Sequence, residues 1–390
     1  MKENQLPDVQ YVLRPGIIEL RAGHPDLNLL PAKGLEEATR TVLESAAPQA
    51  LSYGFEQGPG YLIGQLRAWL ERMEKSAPPS DQLMVTGGSS QALDMLCMLI
   101  TDPGDTALVQ SPTYHLALRV MRDHQLELMP VPSDEEGLRV DALEDALNAL
   151  QHQGRKARLL YLVSTCANPT GATLSPERRK ALVNLARSSD LLLVEDDVYH
   201  QLWYDTPAPP SLYHFDPAGT VIRIGSFSKI LAPGLRLGWM SAAPWIVERF
   251  VKSGVLDSGG GVSHFTGHVV AAFMETGHLD LQVETLRTVY RKRRDVLISS
   301  LERYLPEECL VTTPGGGFFV WLRLPEGIDS SDFLPRAEAA GVSYIPGARF
   351  YVNGDGGPYC RLNFTMLSPS DLEEGARRLG EVLHRSLQQA

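Results

Sequence analysis

A lysine set between two serines and an arginine is the segment with the most obvious chemistry: Ile224-Gly225-Ser226-Phe227-Ser228-Lys229, then Pro233-Gly234-Leu235-Arg236. A lysine placed just after a buried strand can become a nucleophile, because burial and neighbouring cations lower its pKa and leave a neutral lone pair to meet an aldehyde. The guanidinium fork of Arg236 matches a phosphate, and the Ser226 and Ser228 hydroxyls add neutral donors at short range. A second segment, Val85-Thr86-Gly87-Gly88-Ser89-Ser90, reads as strand, glycine turn and helix start. The N–H groups freed at such a start form a cradle for an anion. It lacks the Gly-Lys-Ser/Thr of a nucleotide-triphosphate loop and the GxGxxG spacing of a dinucleotide site.

Three further segments add to this set. Glu195-Asp196-Asp197-Val198-Tyr199 closes an apolar run, and a carboxylate there can pair with a protonated pyridine-type nitrogen and keep its ring electron-withdrawing. Ala167-Asn168-Pro169-Thr170-Gly171 presents Asn168 as a donor to a phenolate oxygen, on a turn fixed by Pro169 and Gly171. Ser111-Pro112-Thr113-Tyr114 can lay an aromatic ring against a planar ligand. Taken singly, each has a plain structural reading as a serine-rich turn, a tight turn, a solvated acidic strand end or a core tyrosine.

What unites them is their place on the elements. From about residue 80 to 240 short apolar runs alternate with turns and amphipathic stretches, the rhythm of an α/β domain. The runs are Gln82 to Thr86, Thr106 to Gln110, Leu126 to Val131, Leu159 to Ser164, Leu191 to Val194 and Val221 to Ile224. Their near-continuous hydrophobicity predicts strands buried on both faces of a mainly parallel sheet. All five segments then lie just beyond strand C-terminal ends, the edge where open α/β sheets bind ligands. Ser175 and Pro176 predict a helix start, a long helix is expected from about Leu279 to Tyr304, and the tail reads as a small α+β unit.

The 390 residues suit two domains, with 43% hydrophobic and 21% charged residues, as in ordinary globular proteins. A net charge of −11 argues against a nucleic-acid partner. No apolar run reaches membrane-spanning length, Met1 to Gln10 has no secretory pattern, and neither the four cysteines nor the ten histidines show metal-ligand spacing. The expectation is a cytoplasmic protein without a metal, without nucleic acid and without a membrane partner.

The Ser-x-Ser-Lys, Asn-Pro-x-Gly and Asp-x-x-Tyr elements, in this order and spacing, resemble those of the class I/II aminotransferases of fold type I, which depend on pyridoxal 5′-phosphate. The resemblance runs from Gly23-His24-Pro25-Asp26 to Arg361. It implies a large domain of mainly parallel sheet with helices on both faces, over 46–285, a smaller α+β domain over 286–390, and an arm with part of the small domain over 1–45. It also implies that Lys229 holds the cofactor as a Schiff base and moves the α-proton. Asp196 pairs with the ring nitrogen, Tyr199 and Asn168 bond the ring's phenolic oxygen, and Tyr114 stacks on the ring. Ser89, Ser90, Ser226, Ser228 and Arg236 hold the phosphate.

By the same resemblance Arg361 clamps the substrate α-carboxylate, with Asn168 and a backbone contact from Gly23 beside it. Tyr53 reaches the phosphate of a second subunit in a homodimer with shared sites. The implied reaction moves an amino group from an amino acid to a 2-oxo acid, 2-oxoglutarate by family habit. The motif Pro314-Gly315-Gly316-Gly317-Phe318-Phe319-Val320-Trp321 with Ile345-Pro346-Gly347 is similar to the broad-specificity α-aminoadipate, kynurenine and aromatic enzymes. Arg14 and Arg21 are candidates for an acidic substrate side chain, their ordinary role being surface charge. Two departures stand out: Gly58, Gly60 and Gly64 precede Leu66-Arg67 after Tyr53, and Cys166-Ala167 stands before Asn168. A β-lyase or decarboxylase on the same scaffold is the rival chemistry, since Lys229 and Asp196 serve it equally. Transcription regulators that fuse a winged helix to such a domain are the other rival, disfavoured by the acidic charge and the short stretch before Gly23.

Overall fold

The computed structural model describes residues 9–10, 13–216 and 219–388; the rest of the expected N-terminal arm, 1–8 and 11–12, lies outside the described residues. The strands in chain order are β1 (Ile18–Glu19), β2 (Leu83–Thr86), β3 (Thr106–Ser111), β4 (Glu127–Asp134), β5 (Gly137–Leu138), β6 (Ala157–Leu162) and β7 (Leu192–Asp196). They continue with β8 (Val221–Ser226), β9 (Gly238–Ser241), β10 (Leu310–Val311), β11 (Phe319–Arg323), β12 (Val342–Ser343), β13 (Ile345–Pro346) and β14 (Tyr359–Asn363).

Eight of them form one sheet in the order β2-β9-β8-β7-β6-β3-β4-β5. The central pairs β8/β7, β7/β6, β6/β3 and β3/β4 are parallel. All six strands read from apolar runs are present. The seventh, β9, escapes a hydrophobicity reading because its Gly-Trp-Met-Ser sequence sits behind a proline-glycine turn. It corrects the topology, since β2 joins the sheet through β9 and both pairings of β9 are antiparallel. Two reversals restore direction, so β2 still ends on the same edge as β8 and β7.

Alternation along the central strands divides the core. Leu159, Tyr161, Val194, Ile222 and Ile224 pack into the larger apolar cluster, and Leu160, Leu162, Leu193 and Val221 into a second one. Helices cover both faces, as parallel strands require. The expectation of burial on both faces fails for β4, an outer strand with only the two-residue β5 beyond it, where Val131 is buried and the other positions are partly covered or exposed. Ser175 does cap the helix Pro176–Ser188, its hydroxyl accepting from the Arg178 N–H at 3.3 Å.

The helix His278–Tyr304 leads into an antiparallel sheet ordered β10-β11-β14-β13 and packs along the final helix Pro369–Leu387. The first strand, β1, pairs with β12 in parallel and so ties the N-terminal segment to this C-terminal unit. Among the described residues no helix is long and apolar enough to cross a membrane.

Candidate active site

The loops at the C-terminal edge of the large sheet enclose, with the segment 21–30 and strands β13 and β14, a cavity of about 1130 Å³. The residues that the resemblance assigns to cofactor and substrate all line it except Tyr53, which is 88% exposed.

Strand pleat explains how three successive carboxylates come to do different things. Side chains alternate across a strand, so Glu195 and Asp197 leave on one face and Asp196 on the other. On the far face Glu195 accepts from Ser164 Oγ at 2.6 Å and meets Arg179 at 3.4 Å, while Asp197 pairs with Arg223 at 2.8 Å and His200 at 3.0 Å. Burial resists ionisation of Asp197, but His200 and Arg223 outweigh it and hold that carboxyl far below its usual range. Asp196 alone turns to the cavity. Its Oδ2 accepts from the Tyr161 hydroxyl at 2.5 Å, and its Oδ1 is buried with no protein partner. Burial pushes its pKa up to about 6, against the Tyr161 hydrogen bond and the nearby Lys229.

Lys229 stands three residues past β8, where the chain turns under the same edge. Its Nζ donates to the Gly23 carbonyl at 3.0 Å and lies 5.7 Å from the Phe318 ring centre. Burial, then the Arg361 and Arg236 charges, lower its pKa to about 8, with Asp196 opposing them. The Gly23 backbone contact, expected beside Arg361, thus goes to the lysine, although a side chain at Gly23 would come within 3.7 Å of the Arg361 guanidinium.

Arg361 comes from β14 and is held on three sides. Its Nη1 donates to Asn168 Oδ1 at 2.8 Å, its Nη2 to the Arg21 carbonyl at 2.9 Å, and its plane lies 3.9 Å over the Phe319 ring. Its Nε is buried without a partner. Because Asn168 accepts through its oxygen, its amide nitrogen remains to donate toward the cavity. Burial pushes the Arg361 pKa down to about 10, which leaves it a cation at neutral pH.

The residues read from the sequence as an anion cradle stand together in the cavity wall. Ser89 and Ser90 open the helix Ser89–Ile100, preceded by Gly88 at φ +95°, where a side chain would strain the backbone and press within 2.9 Å of the Arg236 guanidinium. Arg236 follows the short turn Pro233–Leu235 and donates to the Gly87 carbonyl at 3.2 Å. Ser226 Oγ accepts from the Ser228 N–H at 3.1 Å, which leaves its own proton to donate. Tyr114 precedes the helix His115–Asp123, and Tyr199 packs against Phe318 at 5.4 Å between ring centres. Both phenols are pushed up by burial, Tyr114 to about 12, so they act as neutral donors.

Arg14 corrects one expectation. It is spent on Glu19 at 2.5 Å and Glu338 at 2.7 Å and does not line the cavity. Arg21 does line it, but also pairs with Glu19 at 3.0 Å. Cys166 packs against the Gly316–Gly317 turn rather than the cavity. Sequence reasoning missed Tyr161, which reads as one more bulky residue of an apolar strand. It missed His115 too, whose ring stands edge-on to Phe350 at 5.1 Å in the cavity wall and stays neutral because burial and the Arg361 and Arg349 charges push its pKa to about 4.

An unpartnered carboxylate oxygen, a reactive amine and a phosphate cradle therefore face one space. They fit pyridoxal phosphate: an acid for the ring nitrogen, an amine for the aldehyde, and a helix start with an arginine for the phosphate.

Comparison with known proteins agrees. The profile of the family described as aminotransferase class I and II matches residues 15–379. The chain is 35% identical to aromatic-amino-acid aminotransferase 1 of Thermococcus litoralis, over 99% of this chain and 93% of that one. The crystal structure of a multiple substrate aminotransferase from Thermococcus profundus superposes with a TM-score of 0.92 at 37% identity, covering 97% of this chain and 93% of that one. The Pyrococcus horikoshii kynurenine aminotransferase, crystallised in complex with PMP, gives a TM-score of 0.91 at 36% identity, covering 95% and 92%. The fold is accordingly fold type I, the cofactor is pyridoxal phosphate, and the chain belongs to the class I and II aminotransferases.

Proposed function

We propose that this aminotransferase takes the amino group of an apolar or aromatic L-amino acid and delivers it to 2-oxoglutarate, in two half-reactions at this cavity. The observation that carries this reading is the meeting of the Lys229 amine, the unpartnered Asp196 oxygen and the fixed Arg361 fork around one space. Pyridoxal phosphate, when bound, supplies an electron-withdrawing ring that stabilises negative charge on the carbon losing a proton.

The protein's own part is positioning and proton transfer. Arg361, braced by Asn168 and the Arg21 carbonyl, binds the α-carboxylate and sets the Cα–H bond toward Lys229. Lys229, its pKa lowered to about 8, would take that proton and return it two bonds away, to the carbon that the cofactor's aldehyde supplies. Asp196 keeps the ring nitrogen protonated. Tyr199 and the Asn168 amide bond the phenolic oxygen, Tyr114 covers a ring face, and Ser89, Ser90, Ser226, Ser228 and Arg236 hold the phosphate. Leu27, Leu30, Leu116, Leu334 and Met366 in the cavity wall favour an apolar substrate side chain, in keeping with the aromatic and multiple substrate names of the relatives.

The same reading places the large domain at 46–285 and the small domain at 286–390, with 1–45 as arm and small-domain part. It makes the protein a cytoplasmic homodimer with shared sites. Leu51, Tyr53 and Phe55, exposed by 65%, 88% and 62%, support a surface that a second copy covers, bringing Tyr53 to the partner's phosphate. The four free cysteines suit a reducing compartment.

The test is a half-reaction. An L-aromatic amino acid added alone to the holoenzyme should yield one equivalent each of pyridoxamine phosphate and the 2-oxo acid, and 2-oxoglutarate should reverse the spectrum. Release of ammonia or carbon dioxide without pyridoxamine phosphate would mean lyase or decarboxylase chemistry instead.

Arg361→Lys makes a second check. The charge stays and the fork goes, so one charge-assisted hydrogen bond of about 2–3 kcal/mol is lost and kcat/KM for amino acids should fall roughly 30- to 150-fold. A primary amine that lacks a carboxylate should react with wild type and variant at the same rate. Equal losses for both substrates would place Arg361 outside carboxylate binding.

A further inference from the structure

We propose that Tyr161 is the positioning residue for Asp196: its hydroxyl fixes Oδ2, turns Oδ1 to the cavity, and keeps the carboxylate ionised for the cofactor's ring nitrogen. The inference rests on the reading above, in which Asp196 faces that nitrogen.

Register puts the two residues together. Tyr161 of β6 pairs with Val194 of β7, so Asp196, two residues further on, is its diagonal neighbour on the same face. Tyr161 is fully buried, and its hydroxyl reaches Asp196 Oδ2 at 2.5 Å. Its strand neighbours Leu159, Leu160 and Leu162 are all apolar, and a phenylalanine would fill the core equally well. The oxygen is therefore the part that calls for explanation, and Asp196 is the partner that explains it.

A carboxyl group rotates over a broad, nearly two-fold torsion, so an aspartate held only by its backbone has no fixed direction. One donor on Oδ2 removes that freedom and aims Oδ1, which has no protein partner. The surroundings otherwise divide. Burial and Asp197 on the far face disfavour the anion, Lys229 from the turn after β8 favours it, and the neutral phenols of Tyr114 and Tyr199 stand nearby. The Tyr161 hydrogen bond is the largest single influence opposing burial. A phenol suits this place better than a cation. Burial first, and then the Asp196 charge, push the Tyr161 pKa far above its ordinary value, so it donates without ever neutralising the field that Asp196 presents to the ring.

The experiment measures pyridoxal phosphate binding to apoprotein between pH 5.5 and 9 by the visible absorbance of the bound form, with far-UV circular dichroism to confirm the fold. Tyr161→Phe should raise the dissociation constant about 10- to 100-fold at pH 7, the weight of one hydrogen bond to a charged group. It should also move the pH below which binding fails upward by roughly one unit or more. Replacing Tyr161 by 3-fluorotyrosine, a stronger donor of the same shape, should move that pH downward. In the D196N background the Tyr161→Phe change should have less than about a twofold effect, because Tyr161 acts only through the carboxylate. Unchanged affinity and midpoint in Tyr161→Phe, or equal losses with Asp196 and without it, overturn the proposal and make Tyr161 a packing residue. If wild type binds no pyridoxal phosphate at all, the site reading falls and takes this one with it; binding by wild type separates the two failures.

Discussion

Lys229→Ala is expected to remain folded, to bind pyridoxal phosphate without the visible band of the lysine-bound form, and to lose roughly 1000-fold or more in turnover. The size follows from two losses at one atom: the covalent tether and the general base, the latter alone contributing about 100- to 10,000-fold in well-positioned cases. Retained folding follows from the charge balance. Burial and the Arg361 and Arg236 charges disfavour the ammonium form, so its removal relieves a cost along with the lost packing. A small primary amine that can enter the cavity should restore part of the proton transfer, because Lys229 supplies a base rather than a scaffold. In wild-type apoprotein the amine is depressed to about pKa 8. Capture of the aldehyde should therefore accelerate about tenfold per pH unit up to that pH and then level off. A Lys229→Ala protein that kept both the band and the turnover would remove Lys229 from the chemistry.

The lysine was legible in the sequence because its signal is local: a nucleophile after an apolar run, with hydroxyls and an arginine within a few residues. Ser89, Ser90 and Asn168 share that property, and the common strand edge gathers them without knowledge of the strand order. Arg361 is different. Its local sequence, Cys-Arg-Leu-Asn-Phe, is an ordinary strand, and only the family resemblance pointed to the cavity that β14 brings it to. Arg14 shows the opposite error. Its partner Glu338 lies 324 residues away, so the cation looked available when it was already paired. Tyr161 needed the register of β6 against β7, which apolar runs do not encode. The strand β9 needed the same kind of information, since pairing on both sides, rather than its four-residue composition, makes it a strand.

Asp196→Asn should separate stability from function. Two unit charges about 4 Å apart attract by roughly 4 kcal/mol at an effective dielectric near 20, so loss of the Asp196 charge that would pair with the ring nitrogen should lower turnover about 1000-fold. The apoprotein should move the other way. Asp196 has a folded-state pKa raised to about 6 from 3.8, so between these values the folded protein keeps a proton that the unfolded chain has released. Stability must then decline as pH rises through that window, reaching a deficit of about 3 kcal/mol above pH 6. Asparagine does not titrate and can still accept from Tyr161. Apo D196N should therefore melt above apo wild type at pH 7.5, with the advantage shrinking toward zero as the pH falls from 6 to 4. Saturating pyridoxal phosphate should narrow or reverse the difference, since only the wild-type carboxylate gains a cationic partner. If both apoproteins melted alike at pH 7.5, Asp196 would be ionised at no cost without its cofactor, and the idea that the site stores an unmet charge for the ring nitrogen would fail.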